Sequence, residues 1–203
     1  MNLKRLRVML IKLIYRLVFF ILSNLFKLKN LFLFRVFKVK FEKGLRVNGP
    51  MFIRSFGQLE IGHNVTINSS YSSNPIGGNS FTSVVVMKGA KVVIGNNVGI
   101  SNSAIYCMNE ITIGDGAMIG GDCKIYDTDF HSLDWKSRQL PNDQGSSLPV
   151  TIGERSFIGT GCIILKGSKI GVGSVIGAGS VVSTSIPDNQ IWAGNPIKYI
   201  KDV

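Results

Sequence analysis

Histidine is nearly missing from this 203-residue chain, which holds two, His63 and His131. Cysteine is scarce too: Cys107, Cys123 and Cys162 lie far apart and form no CxxC pair. These shortages exclude a cysteine-based structural zinc site and leave too few imidazoles for a three-histidine catalytic zinc, so no metal is expected. The three dispersed cysteines read as buried free thiols of a reducing compartment. No G-x-S-x-G elbow signals a serine nucleophile, and no P-loop or dinucleotide fingerprint occurs. Acidic residues are in deficit, 12 Asp and Glu against 23 Lys and Arg. The imbalance is local, because residues 1–43 hold eleven Lys or Arg and one Glu while the rest is close to neutral. The basic charge therefore describes an N-terminal arm rather than the fold. Within residues 1–41 no charge-free run exceeds the ten residues from Leu17 to Phe26. A spanning helix needs about 20 apolar residues, so a simple transmembrane segment is not expected. A secretory signal also fits poorly, since no small-residue cleavage site follows the apolar run.

What the arm does have is a helical pattern. At 100° per residue Arg5, Lys12, Arg16 and Lys27 share one side, and Leu10, Leu13, Ile14, Leu17, Phe20 and Ile21 populate much of the remainder. A basic helix with a wide apolar face suits an interfacial membrane anchor. Packing on the domain's own core, or on a neighbouring subunit, are the other two readings of the same pattern. Contiguous Leu and Phe make poor phosphate contacts, so nucleic acid is not an expected partner.

The rest of the chain is organised around Ile152 to Ser183. An aliphatic residue returns every sixth position, at Ile152, Ile158, Ile164, Ile170, Ile176 and Val182. Glycine follows it at 153, 159, 171 and 177, and a small residue stands four after it at Ser156, Cys162, Ser168, Ser174 and Ser180. A period of six is neither helical nor the alternation of a half-exposed strand. It suits one face of a three-sided coil: a short strand turns its aliphatic side chain inward, the glycine takes the unusual angles of the corner, and a small side chain fits where faces converge. This is a parallel β-helix of hexapeptide repeats. The expected organisation is a basic helical arm over 1–41 and an all-β coil over 42–203. The coil starts with a hexad at Ile61, is broken by a polar Gly-rich loop at 71–83, slips near Tyr106 and restarts at Ile113, and is interrupted by a long loop at 127–149.

That second loop carries the sharpest candidate for chemistry, His131, which follows a coil strand and is flanked by Asp127, Asp129, Asp134 and Arg138. A neutral imidazole held by a carboxylate or carbonyl is a competent general base. His63 sits two residues after Ile61 in a regular hexad and reads as a surface residue.

The segments ITIGDGAMIGGDCKIYDTDFHSLD, IGERSFIGTGCIILKGSKIGVGSVIGAGSVVSTSIPDN and the closing WAGNPIKYI resemble the hexapeptide acyltransferases. The resemblance covers roughly residues 90–203. It is to the branch that holds maltose and galactoside O-acetyltransferases and polysaccharide-biosynthesis O-acetyltransferases. It implies a left-handed coil, an exception to the usual right-handed crossover. It also implies a homotrimer with active sites between subunits, acetyl-CoA as donor, and His131 as the base that takes the acceptor hydroxyl's proton. Asn102, thirteen residues before Asp115, matches the family's acceptor-positioning asparagine and reads equally as a corner residue. Gly159, Thr160, Ala178 and Ser183 match the positions that meet the pantetheine arm, and Phe157 stands where relatives often have Trp. Lys198 and Lys201 match the region that meets the cofactor's phosphates, or are surface charges.

The helical N-terminal domain of the sugar enzymes is replaced here by the basic arm, so a small free disaccharide is not the expected acceptor. Recognition would rest on Asp129, Trp135 and Arg138 of the long loop. The expectation is an O-acetyltransferase of a cell-surface polysaccharide precursor, lipid-linked or nascent, working peripherally on the cytoplasmic face of the membrane. An N-acyltransferase of an amino-sugar nucleotide and a non-catalytic structural coil are the alternatives.

Overall fold

The computed structural model describes residues 3–203. A 34-residue helix, Leu3–Val36, leads into a three-sided left-handed parallel β-helix whose first strand is Lys40–Phe41. The first face carries seven strands, from Lys40–Phe41 to Ser185–Ile186. The second face starts at Arg46–Asn48 and ends at Gln190–Ala193, where Lys198–Asp202 adds antiparallel and closes the coil. The third face runs from Phe52–Ser55 to Val181–Val182 over six strands.

Register explains the period of six. On the first face Ile61, Ile94, Ile113, Ile152, Ile170 and Ile186 are successive partners. Ile67, Ile100, Ile119, Ile158 and Ile176 stack likewise on the second face, and Ile53, Val84, Ile105, Ile125, Ile164 and Val182 on the third. All are buried. The slip after Tyr106 has a simple cause. Strands Ala104–Cys107 and Glu110–Ile113 are four residues long and each turns two side chains inward, which lengthens the spacing between stacks. An Ile158→Ala exchange leaves a hole bounded by Ile119 and Ile176. It is expected to cost about 2–5 kcal/mol, read as a lowered thermal midpoint.

The glycine that follows four of the six aliphatic residues is present for a reason other than the expected one. The left-handed angle falls two residues later, as at Gly161 with φ 70°. Gly159 itself is demanded by close approach: a Cβ there would meet the backbone N of Ala178, one rung on, at 2.5 Å. The small corner residues carry polar bonds as well as fitting the space. The Ser156, Ser168 and Ser174 hydroxyls donate to the carbonyls of Gly153, Val182 and Pro187 at 2.7, 3.0 and 2.6 Å. The three cysteines are buried and unbridged; burial pushes the Cys107 thiol up, and the hydrogen bond shared with Cys162, then burial, pushes the Cys123 thiol up.

The helix meets the coil through one stripe of its C-terminal half: Ser23, Phe26, Asn30, Leu33 and Phe34, with Phe37 just past its end, are buried or half-buried. Asn30 fixes the join, donating to the Gly49 carbonyl at 2.9 Å and accepting from the Met51 N–H at 3.0 Å. Phe34 enters the core. The opposite face, including Leu10, Ile14, Leu17, Ile21, Leu25 and Phe32, is exposed. Contrary to the expectation from charge-free runs, Arg7–Val36 is long and apolar enough to cross a membrane by length and composition.

Candidate functional site

The strand Lys124–Tyr126 ends on the third face, and the chain leaves the coil at Asp127. Asp127 is buried and anchors the exit, accepting from the backbone N–H groups of Met108 and Asn109, each at 2.7 Å. The loop then doubles back on itself. Thr128 bridges Ser147, Asp129 N–H donates to Ser146 O at 3.0 Å, and Leu148 N–H donates to Asp127 O at 2.9 Å. Phe130 takes a left-handed conformation, φ 64°, rare for a bulky residue. Its ring folds against Tyr106 and Tyr126, with centroids 4.8 and 5.4 Å away. Gly145 is packed so close that a Cβ on it would meet the N–H groups of Phe130 and His131 at 2.8 Å. That tight turn sets the place of His131.

His131 Nδ1 lies 2.6 Å from Asp143 Oδ2. Asp143 Oδ1 accepts from the Ser132 N–H at 2.8 Å. This backbone bond, and then the imidazole, holds the Asp143 carboxyl below the usual range. The His131 side chain is 73% exposed and that of Asp143 only 11%. A carboxylate acceptor at Nδ1 keeps the proton there and leaves the Nε2 lone pair free on the exposed ring. Asp143 is the partner of His131 that reading the sequence misses, since it lies twelve positions away across the loop. The turn residues of the PNDQG run, 141–145, are the one signal that the chain folds back there.

The other expected site residues divide. Asp129 pairs with Lys166 at 2.7 Å and accepts from Ser146, which hold its carboxyl below the usual range. Arg138 Nη1 donates to the carbonyls of Ser132 and Leu133 at 2.8 and 3.0 Å, so it braces the loop beside His131. Trp135 is exposed, with the Lys136 ammonium 5.8 Å from its ring centre. Asn102 sits at the far corner of the third face, 1% exposed at φ 40°. Its Nδ2 donates to Ser80 O at 2.9 Å, and its Oδ1 is buried without a partner among the described residues. Thr160 and Ala178 lie along that same corner, with Gly159 against the Ala178 backbone and the Thr160 hydroxyl on Gly121 O at 2.6 Å. Phe157 is exposed on the second face between Met118 and Val175. Ser183 follows the third face's last strand, on the edge that carries His131. Lys198 and Lys201 are exposed on the closing strand. Within one chain, then, His131 and the Thr160–Ala178 edge lie on opposite sides of one face.

The loop's carboxylates give it a pH dependence. Asp129, Asp134 and Asp143 all lie below their ordinary value, through Lys166, the Ser137 hydroxyl and the Ser132 N–H respectively. A depressed folded value contributes stability above the unfolded one, about 3.9, and loses it as pH falls through the folded value. Loop amides at 129–146 are expected to lose hydrogen-exchange protection below about pH 4 while coil amides keep theirs. Simultaneous loss in both would contradict this.

The bacterial transferase hexapeptide (six repeats) family matches residues 149–184. WbbJ of Escherichia coli K12, by its name a candidate lipopolysaccharide biosynthesis O-acetyl transferase, is 30% identical over 160 residues, covering 75% of this chain and 76% of WbbJ. Curated relatives in Dictyostelium discoideum, Schizosaccharomyces pombe and Saccharomyces cerevisiae are spanned over only 60%, 44% and 58% of their lengths. Among solved structures, a galactoside acetyltransferase in complex with coenzyme A is similar at 27% identity and TM-score 0.52, over 80% of this chain and 64% of that one. A point mutant of AntD, an N-acyltransferase from Bacillus cereus, in complex with dTDP and coenzyme A, is similar at 25% identity and TM-score 0.58, over 80% and 83%. With three stacked faces, the six-residue period and a relative matched over three quarters of both chains, this protein belongs to the hexapeptide-repeat transferase family.

Proposed function

We propose that this protein is an acetyl-CoA-dependent O-acetyltransferase acting on a sugar hydroxyl of a cell-surface polysaccharide precursor. The observation that carries the reading is the exposed imidazole of His131 with its Nδ1 held by Asp143. In the reaction His131 Nε2 takes the hydroxyl proton as the acceptor oxygen attacks the thioester carbonyl. The tetrahedral adduct then collapses, and the departing thiolate takes that proton from the imidazolium, leaving an acetyl ester and free CoA thiol. Asp143 keeps the ring in one tautomer and stabilises it while charged.

The chain's small-residue edge suits a pantetheine arm. Ala178 and Gly179 are exposed, and a Cβ added at Gly161 or Gly179 would meet nothing within 4 Å, so the space along that edge is open to a ligand while the Gly161 and Gly179 N–H groups stay bonded to the carbonyls of Gly121 and Thr160 at 2.8 Å. In one chain that edge and His131 are separated by the width of a face, about 10 Å for a three-residue strand. A homotrimer would bring the histidine edge of one copy to the small-residue edge of the next. Phe157, Ser183, Lys198 and Lys201 are further contacts to the donor in this reading, and Asn102, Asp129, Trp135 and Arg138 border the acceptor.

In this reading the enzyme works peripherally on the cytoplasmic face of the cell membrane, with the arm as its anchor. Its exposed apolar face points away from the stripe that docks on the coil. Upstream of Ser23 that same angular stripe carries Arg5, Lys12 and Arg16. A helix lying flat would bury the apolar face in lipid and keep these cations and the coil on the aqueous side.

The test is CoA thiol release from acetyl-CoA with hydroxyl-only and amino-sugar acceptors, free, nucleotide-linked and lipid-linked. Release with hydroxyl-only saccharides supports the reading. Release with amino sugars alone would replace it with N-acyl transfer, and none with any acceptor would favour a structural coil.

A further inference from the structure

A groove of about 490 Å³ runs between the helix and the first strands of the second face, within the size range of small-ligand sites. Its two walls differ in chemistry. The helix wall is Phe19, Leu22 and Phe26, and its one hydroxyl, on Ser23, is turned back to the Phe20 carbonyl at 2.9 Å. The coil wall is built of amides and hydroxyls, chiefly Asn48, Asn68 and Ser73. Asn48 Nδ2 donates to Asn68 Oδ1 at 3.0 Å, Asn68 Nδ2 donates to Ser101 Oγ at 3.3 Å, and Ser73 Oγ donates to the Asn48 carbonyl at 3.1 Å. Each primary amide has two N–H donors, and one on each has no partner among the described residues. Lys27, Val47 and Asn48 are shared with a second cavity of about 480 Å³ that Arg46 also lines. Neither cation pairs with a carboxylate among the described residues.

Apolar on one side, hydrogen-bonding on the other, with unpaired cations at the junction, the groove is complementary to an amphiphile that has a hydrocarbon chain, an anionic link and a hydroxyl-rich head. We infer that it holds a lipid-linked sugar phosphate, with the chain on Phe19, Leu22 and Phe26, the phosphate at Lys27, and the sugar hydroxyls on the spare N–H groups of Asn48 and Asn68. Continuity supports this occupant at both ends. The apolar wall runs on into the exposed face of the helix. The polar wall runs into the 71–83 loop, whose Ser80 carbonyl accepts from Asn102, the residue whose buried oxygen has no partner among the described residues. The identity of the head group rests on the proposed glycan acceptor, but binding in the groove does not.

The test uses the full-length protein in mild detergent, without acetyl donor. A farnesyl phosphate-linked glucose carrying a photoreactive group on its prenyl chain is cross-linked and mapped by peptide mass spectrometry. Labelling is expected in peptides spanning 17–27 and 66–73. Unlabelled farnesyl phosphate glucose should compete about tenfold better than farnesyl phosphate or phosphatidylglycerol, the difference of one or two hydrogen bonds to the sugar. Lys27→Ala, with Lys27→Gln as the milder variant, is expected to weaken competition about tenfold through loss of a charge-assisted contact. Asn48→Leu should erase the preference for the sugar while leaving prenyl binding. Label scattered along the exposed helix face, or equal competition by phosphatidylglycerol, would overturn the inference in favour of a plain lipid contact. Because no turnover is involved, labelling without thiol release would sink the transfer reading alone, and thiol release without groove labelling would sink the groove alone.

Discussion

Replacing His131 with alanine is expected to slow acetyl transfer to a saccharide by about 10²–10⁴-fold, the usual contribution of a positioned general base. The readout is CoA thiol release at saturating donor. The ring is mostly solvent-exposed and touches the fold chiefly through Asp143, so the melting midpoint should barely move and the loss cannot be assigned to unfolding. Asp143→Asn is the informative companion. An amide can still bond Nδ1, but as donor as well as acceptor, and it cannot stabilise the imidazolium. It should cost part of the His131→Ala effect, and the double variant should be no slower than His131→Ala alone, because the two groups act as one unit. Activity of His131→Ala within about threefold of the parent would remove the base from the mechanism, since even the low end of base catalysis exceeds that. Full biological function in such a variant would leave the coil a structural element.

The fold was legible because it is written locally. Each rung returns an aliphatic side chain to the same stack, so Ile152, Ile158 and Ile164 declare three faces in thirteen residues. Even so, the glycines were legible as necessary and misread as to cause: Gly159 answers to the Ala178 backbone one rung away, a contact with no trace in local sequence. The candidate site divides along the same line. His131 stands out by position, the second of two histidines at the mouth of a break in the repeat. Its partner does not. The flanking Asp127, Asp129, Asp134 and Arg138 are nearer in sequence than Asp143, yet Arg138 bonds loop carbonyls, Asp129 pairs with Lys166, and Asp127 is buried against backbone N–H groups. Only the closure of the loop, fixed by the left-handed Phe130 and the tightly packed Gly145, brings residue 143 to residue 131.

Removing the arm is expected to move the protein from the membrane fraction to the soluble one, and where the cut is made decides what the experiment reports. Deleting residues 1–40 also removes Asn30 and Phe34. That leaves the Gly49 carbonyl and Met51 N–H without their partner and uncovers the end of the core. A buried backbone pair stripped of its bonds costs about 1–3 kcal/mol for each group, so that variant confounds anchoring with stability. Deletion of residues 1–22 is the cleaner cut, because the docking stripe from Ser23 to Phe37 stays in place. It removes Leu10, Leu13, Ile14, Leu17, Val18, Phe20 and Ile21, all about half exposed or more. At about 1 kcal/mol gained by each on entering lipid, these seven contribute on the order of 7 kcal/mol, ample for stable attachment. Arg5, Lys12 and Arg16 add an attraction to anionic headgroups that salt weakens. The parent should therefore sediment with anionic vesicles, bind neutral ones less well, and be released by alkaline carbonate. The 23–203 variant should remain in the supernatant with an unchanged melting midpoint. Retention of the parent through carbonate would mean that the helix crosses the bilayer, as its length and composition allow. Retention of the truncated variant would locate the membrane contact on the coil. Both would end the interfacial reading, because a flat helix has only its apolar face and its cations to hold it.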